Sequence, residues 1–79
     1  MSAIIYSKHP CPFCDRAKML LNHKGIGYTE INAVEHMDDM VQKVTEATGN
    51  RPQTVPQIFL DGKYIGGFNQ LVEHFKNNA

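Results

Sequence analysis

Apolar positions along the chain follow two rhythms: short continuous or alternating runs, and stripes that return every three or four residues. Ala3 to Ser7 is short, apolar and β-favouring, which predicts a strand, and Lys8 to Pro10 reads as a loop. Cys14, Ala17, Leu20 and Leu21 then recur at helical spacing. Pro12 suits the first turn of that helix, where its missing N–H costs nothing. Lys24-Gly25 supplies a cation in the last turn and a stop. Gly27 to Ile31 predicts a second strand, with Tyr28 and Ile31 as its large apolar members. Met37, Met40, Val41, Val44 and then Ala47 or Thr48 mark a second helix ending at Gly49-Asn50, with Met37 and Met40 expected in the core. Arg51 to Pro56 is a loop with two prolines.

Gln57 to Leu60, Asp61-Gly62 and Lys63 to Ile65 read as a hairpin with a two-residue turn. Gly66-Gly67 breaks its second strand, and Asn69 is expected to N-cap a last helix carrying Leu71, Val72 and Phe75. The order is β-α-β-α-β-β-α. A βαβ unit implies parallel strands and a right-handed crossover, and the hairpin adds antiparallel ones. The expectation is an α/β fold: one four-stranded mixed sheet with three helices. The 79 residues (1–79) have room for one small domain.

Composition narrows the functional classes. Eight basic residues balance eight acidic ones, which leaves no electrostatic footprint for nucleic acid or an anionic membrane. No apolar stretch approaches the ~20 residues that span a bilayer. The first residues, Met1-Ser2-Ala3-Ile4-Ile5, lack a basic region and a cleavage site, so a cytoplasmic location is expected. In that compartment a cysteine pair is more often catalytic or metal-binding than structural.

Cys11 and Cys14 are the only cysteines, and they frame Cys11-Pro12-Phe13-Cys14. This spacing beside a βαβ pattern points to a thioredoxin-like redox motif. Cys11 at the helix start can meet Cys14 one turn later, so a disulfide closes and reopens locally. A free thiol of pKa ~8.5 is only about 3% ionised at pH 7. The free N–H groups and positive dipole end of a helix favour the thiolate. Lys8, three residues before Cys11, adds positive potential. Cys11 is therefore the candidate nucleophile and Cys14 the resolving thiol. A structural zinc site needs four ligands, and His9, His23, His36 and His74 are scattered with no paired spacing, so no metal is expected. Covalent haem attachment wants His after the second Cys, where Asp15 stands.

Two further segments have a structural and a functional reading. Thr54-Val55-Pro56 is a loop entering a strand. With Pro56 cis it would also present the Val55 N–H and C=O to an extended peptide. Gly66-Gly67 ends a strand. It would also allow close approach of a ligand whose carboxylate meets the start of the last helix.

Tyr6-Ser7-Lys8, Cys11-Pro12-Phe13-Cys14, Arg16-Ala17-Lys18, Lys24-Gly25, Thr54-Val55-Pro56-Gln57-Ile58-Phe59 and Ile65-Gly66-Gly67 together resemble the glutaredoxins, in family order and over nearly the whole length. The short length and the Gly-Gly-Phe segment are similar to compact bacterial and phage members. The resemblance implies a thioredoxin-like fold and glutathione as co-substrate, with no permanently bound cofactor. It implies that Lys8, Phe13, Thr54, Val55, Pro56 and Gly67 line the glutathione groove, and that Phe68, Asn69 and Gln70 hold the γ-glutamyl end. It also implies disulfide-containing proteins as partners, ribonucleotide reductase among them. A monomer is expected because no exposed apolar stripe is left over.

Two departures stand out against the family pattern. Phe13 replaces the usual tyrosine, and an acidic pair common after Gly-Gly is absent from Phe68-Asn69-Gln70. The second departure implies weaker glutathione recognition, and it favours an alternative hydrogen donor recharged by thioredoxin reductase. A third reading, an iron–sulfur carrier shared between protomers, is disfavoured by Pro12 and Cys14.

Overall fold

The computed structural model describes residues 1–78. Its elements are β1 (Ser2–Ser7), α1 (Pro12–His23), β2 (Gly27–Asn32), α2 (Met37–Thr48), β3 (Gln57–Leu60), β4 (Lys63–Gly66) and α3 (Phe68–Asn77). The strands form one sheet in the order β2-β1-β3-β4. β1 runs parallel to β2, with Ala3 opposite Tyr28 and Tyr6 opposite Ile31. It runs antiparallel to β3, with Ala3 opposite Leu60 and Tyr6 opposite Gln57.

Alternation along the strands divides the core between the two faces of the sheet. On one face Ala3, Ile5, Tyr28, Ile58, Leu60 and Ile65 meet Ala17 and Leu21 of α1 and Leu71 of α3. On the other, Tyr6, Ile31, Phe59 and Tyr64 meet Met40 and Val44 of α2. Two helices thus cover one side and one the other. The hairpin turn places Asp61 at φ 50° and Gly62 at φ 80°, both in the left-handed region that tight hairpins require. Asp61 is tied to the start of β1: its carboxylate accepts from the Ser2 N–H at 2.8 Å, and its own N–H donates to the Ser2 carbonyl at 2.8 Å.

Two expectations are corrected. α3 is capped by Gly67, not Asn69. The Gln70 side-chain oxygen accepts from the Gly67 N–H at 3.0 Å, and Phe68, already helical, packs against Phe13. These contacts begin the helix two residues earlier than local capping preference suggests. Met37 is 43% exposed and only Met40 fills the core, because Met37 opens the first turn of α2 at its solvent edge. Val72 is likewise 39% exposed, so α3 buries Leu71 and leans on Phe75.

Candidate active site

β1 ends at Ser7, and a four-residue link carries the chain to α1, which begins just beyond the carboxyl end of the strand. That end of an α/β sheet is where ligands collect. Within the link the His9–Pro10 peptide is cis. Cys11 is the N-cap of α1, in extended conformation, and Pro12 opens the first turn. The Cys14 N–H donates to Cys11 Sγ at 3.1 Å, so the sulfur itself performs the capping role. The two cysteines are joined in a disulfide with Cα atoms 5.2 Å apart. Their exposures differ in the sense that matters for chemistry: Cys11 retains 8% and Cys14 none.

A cleft of about 230 Å³ lies beside Phe13 and is walled by Thr54, Val55, Pro56, Gly67, Phe68, Asn69 and Gln70. It is smaller than the ~300 Å³ at which drug-sized pockets begin, which suits part of a small peptide better than a whole compact ligand. Phe13 is 48% exposed; the Arg16 guanidinium sits 5.1 Å over its ring, and Phe68 lies 6.1 Å away, centroid to centroid. The Val55–Pro56 peptide is cis. No backbone hydrogen bond among the described residues engages the Val55 N–H or C=O. Eight of the nine residues assigned above to a ligand groove therefore meet in one place. Lys8 does not line this cleft. It lines a neighbouring one that also touches Thr54 and Val55, and another beside Ser7, His9 and Glu30.

The loop before Pro56 is held from behind. Gln57 donates from its amide nitrogen to the Thr54 carbonyl at 2.7 Å, and its amide oxygen accepts from the Tyr64 hydroxyl. Burial raises the Tyr64 phenol pKa above its ordinary value. Sequence reading did not find this relay. The available signal was a glutamine heading an otherwise apolar strand, since a buried amide demands partners on both its atoms.

Two charged contacts brace the helices against the sheet. Lys18, one turn beyond Cys14, donates to Glu30 at 2.9 Å, and Ser7 Oγ donates to the same carboxylate oxygen. The Ser7 hydroxyl, then Lys18, holds the Glu30 carboxyl below its usual range, and Glu30 in turn raises the Lys18 ammonium pKa. On the other face the Tyr6 hydroxyl donates to Asp39 at 2.6 Å, fastening α2 to β1. Burial, then this bond to a carboxylate, pushes the Tyr6 phenol up to about 12.

A two-cysteine helix start at the carboxyl edge of a mixed four-stranded sheet, beside an open peptide-sized cleft, defines a thiol–disulfide oxidoreductase of thioredoxin-like fold. The glutaredoxin family model matches residues 3–65, and the chain belongs to that family. It is 40% identical over 74 residues to the hybrid peroxiredoxin hyPrx5 of Haemophilus influenzae, covering 94% of this chain and 29% of that much longer one. It is 39% identical over 71 residues to glutaredoxin 3 of Escherichia coli K12, covering 85% of this chain and 77% of the relative. Among solved structures, the buckwheat glutaredoxin–glutathione complex superposes with TM-score 0.77 at 31% identity, over 96% of this chain and 69% of that one.

Proposed function

We propose that this protein reduces glutathione mixed disulfides and protein disulfides at the expense of glutathione, with Cys11 as nucleophile and Cys14 as resolving thiol. The observation that carries the reading is the placement of the outer sulfur, Cys11, at a helix start whose N–H groups face it, with an open cleft alongside. The buckwheat relative bound to glutathione supports the choice of thiol.

The reduced Cys11 thiolate attacks one sulfur of a substrate disulfide. A Cys11 mixed disulfide forms, and the other sulfur departs as a thiolate that takes a proton from solvent. With a glutathione mixed disulfide, a second glutathione thiolate attacks the sulfur of the bound glutathione. Oxidised glutathione leaves and the Cys11 thiolate returns. With a protein disulfide, Cys14 attacks Cys11 Sγ, releasing the reduced protein and closing the Cys11–Cys14 disulfide. Two glutathione thiols then reopen it, giving one oxidised glutathione. The helix start favours the Cys11 thiolate both as attacker and as leaving group. Full burial keeps Cys14 from outside disulfides and reserves it for Cys11. Thr54, Val55 and the start of α3 would hold the glutathione moiety, the free Val55 N–H and C=O pairing with its cysteinyl backbone as an added strand does.

The test follows NADPH oxidation with glutathione, glutathione reductase and a small glutathione mixed disulfide. Cys11→Ser is expected to abolish turnover, while Cys14→Ser retains a substantial fraction on this substrate and loses activity on protein disulfides. A wild type that is inactive here yet runs with thioredoxin reductase would refute glutathione dependence and leave the hydrogen-donor reading in its place.

A further inference from the structure

The cleft beside Cys11 has a chemical bias that its shape does not reveal. None of the side chains lining it is ionisable. The first turn of α3 carries no acid, and the nearest one on that helix, Glu73, lies a full turn beyond Asn69 and outside the lining. What the cleft does offer is donors. The N–H groups of Phe68, Asn69 and Gln70 occupy the first turn of a ten-residue helix, where backbone donors have no partner within the helix. The Gln70 amide oxygen is already bonded to the Gly67 N–H at 3.0 Å, and its exposed NH₂ makes no hydrogen bond among the described residues, which leaves it a donor. Beside the cleft, the Arg16 guanidinium lies 5.1 Å over the ring of the lining residue Phe13 and brings a cation. A carboxylate finds many partners here and an ammonium finds no anionic one.

Resting on the glutathione reading above, we propose that this cleft recognises the γ-glutamyl end of its thiol through the carboxylate alone and is indifferent to the ammonium, with Asn69 as the residue that sets this preference. The substrate class is then wider than glutathione. It includes small peptide thiols that keep a terminal carboxylate but lack the neighbouring amine, or carry it acylated. Asn69 is exposed and engages no side-chain hydrogen bond among the described residues, so its amide is free to turn either way toward a neutral group. An aspartate in its place would add the missing anion without disturbing the cap, which Gly67 and Gln70 make between them.

The experiment is a single-turnover reaction of pre-reduced protein with two chromogenic mixed disulfides of 2-nitro-5-thiobenzoate. One carries glutathione and the other its desamino analogue, glutaryl-cysteinyl-glycine. Release of the coloured thiolate is followed at several substrate concentrations, and each rate is divided by that of a free small thiol. The wild type is expected to treat the two alike, within about threefold. Asn69→Asp is expected to shift the ratio toward glutathione by about three- to tenfold, the range between an exposed ion pair and a well-made charged hydrogen bond. Because the readout is a ratio within one protein, a change in folding cancels. A wild-type preference of tenfold or more for glutathione overturns the proposal, as does an unmoved ratio in Asn69→Asp. If neither substrate reacts faster than with the free thiol, the glutathione reading itself fails, and this inference with it.

Discussion

The relay from Tyr64 through Gln57 to the Thr54 carbonyl invites the most direct test, because it links core packing to the position of the substrate loop. Gln57 is 6% exposed, so its amide has little water to fall back on. Tyr64→Phe removes one hydrogen bond, worth about 1 kcal/mol net, and leaves the Gln57 oxygen without its partner, for a total of about 1.5 kcal/mol. Gln57→Leu removes both bonds at similar volume. The exposed Thr54 carbonyl regains water, so the expected loss is about 2 kcal/mol. The double variant should also lose about 2 kcal/mol, since the bond that Tyr64→Phe deletes is already gone. The coupling energy is thus about 1.5 kcal/mol. Urea unfolding of the four oxidised proteins, followed by far-ultraviolet circular dichroism, measures each term. In a domain of this size 1 kcal/mol moves the midpoint by about 4–8 °C, so thermal unfolding gives a second reading. The same variants should raise KM for a glutathione mixed disulfide while kcat changes little, because the loop and not the sulfur is disturbed. Additive losses, within about 0.3 kcal/mol, would show that the relay is not a connected unit and refute the reasoning.

Three other outcomes follow from the same structure. The Tyr6 phenol is raised from 10.0 to about 12 in the fold, so its contribution to stability is present below pH 10 and is lost as pH rises from 10 to 12. This amounts to about 2–3 kcal/mol, and Tyr6→Phe should flatten that limb of a stability–pH curve measured by denaturant unfolding. On the acid side Glu30 and Asp39, both held below their ordinary range, contribute stability that fades as pH falls through their folded values. Gly66→Ala should destabilise by about 1–3 kcal/mol in thermal unfolding and raise KM. The backbone there has φ 120°, and an added Cβ would come within 3.0 Å of Gln70, the residue that completes the cap of α3.

The element order was legible because each apolar rhythm ran long enough to choose between strand and helix, and because Asp61-Gly62 and Lys24-Gly25 punctuate the chain with little ambiguity. The start of α3 was not legible. Asn69 is the better cap by local chemistry, but a tertiary contact between Phe68 and Phe13 and a side chain reaching back from Gln70 decide the matter. Met37 was misplaced for a related reason: periodicity identifies a stripe but not where the neighbouring strand ends beneath it. Within the site, the cysteine pair announced itself by spacing. That Phe13, Val55 and Asn69 share one cleft follows only from the sheet order, which brings residues some forty positions apart side by side. The bonds that steady them, Tyr64–Gln57 within the hairpin and Tyr6–Asp39 between β1 and α2, depend on register and helix packing, of which the sequence offered only the glutamine heading an apolar strand.

The central position of β1 sets a schedule for biosynthesis. The earliest of the four strands lies between β2 and β3, and its Tyr6 waits for Gln57, about fifty residues later in the chain. At translation rates of about 5–20 residues per second that interval is roughly 3 to 10 s. During it, one flank of β1 is an unpaired edge, open to any passing strand. Both cysteines are made well before the hairpin, and α3, which helps close the core over their helix, is the last of these elements to be made. A nascent Cys14 therefore meets the thiols and oxidants of its surroundings before the fold can hide it. The length of that exposure is fixed by how quickly the hairpin and last helix are made, and by nothing at the active site itself.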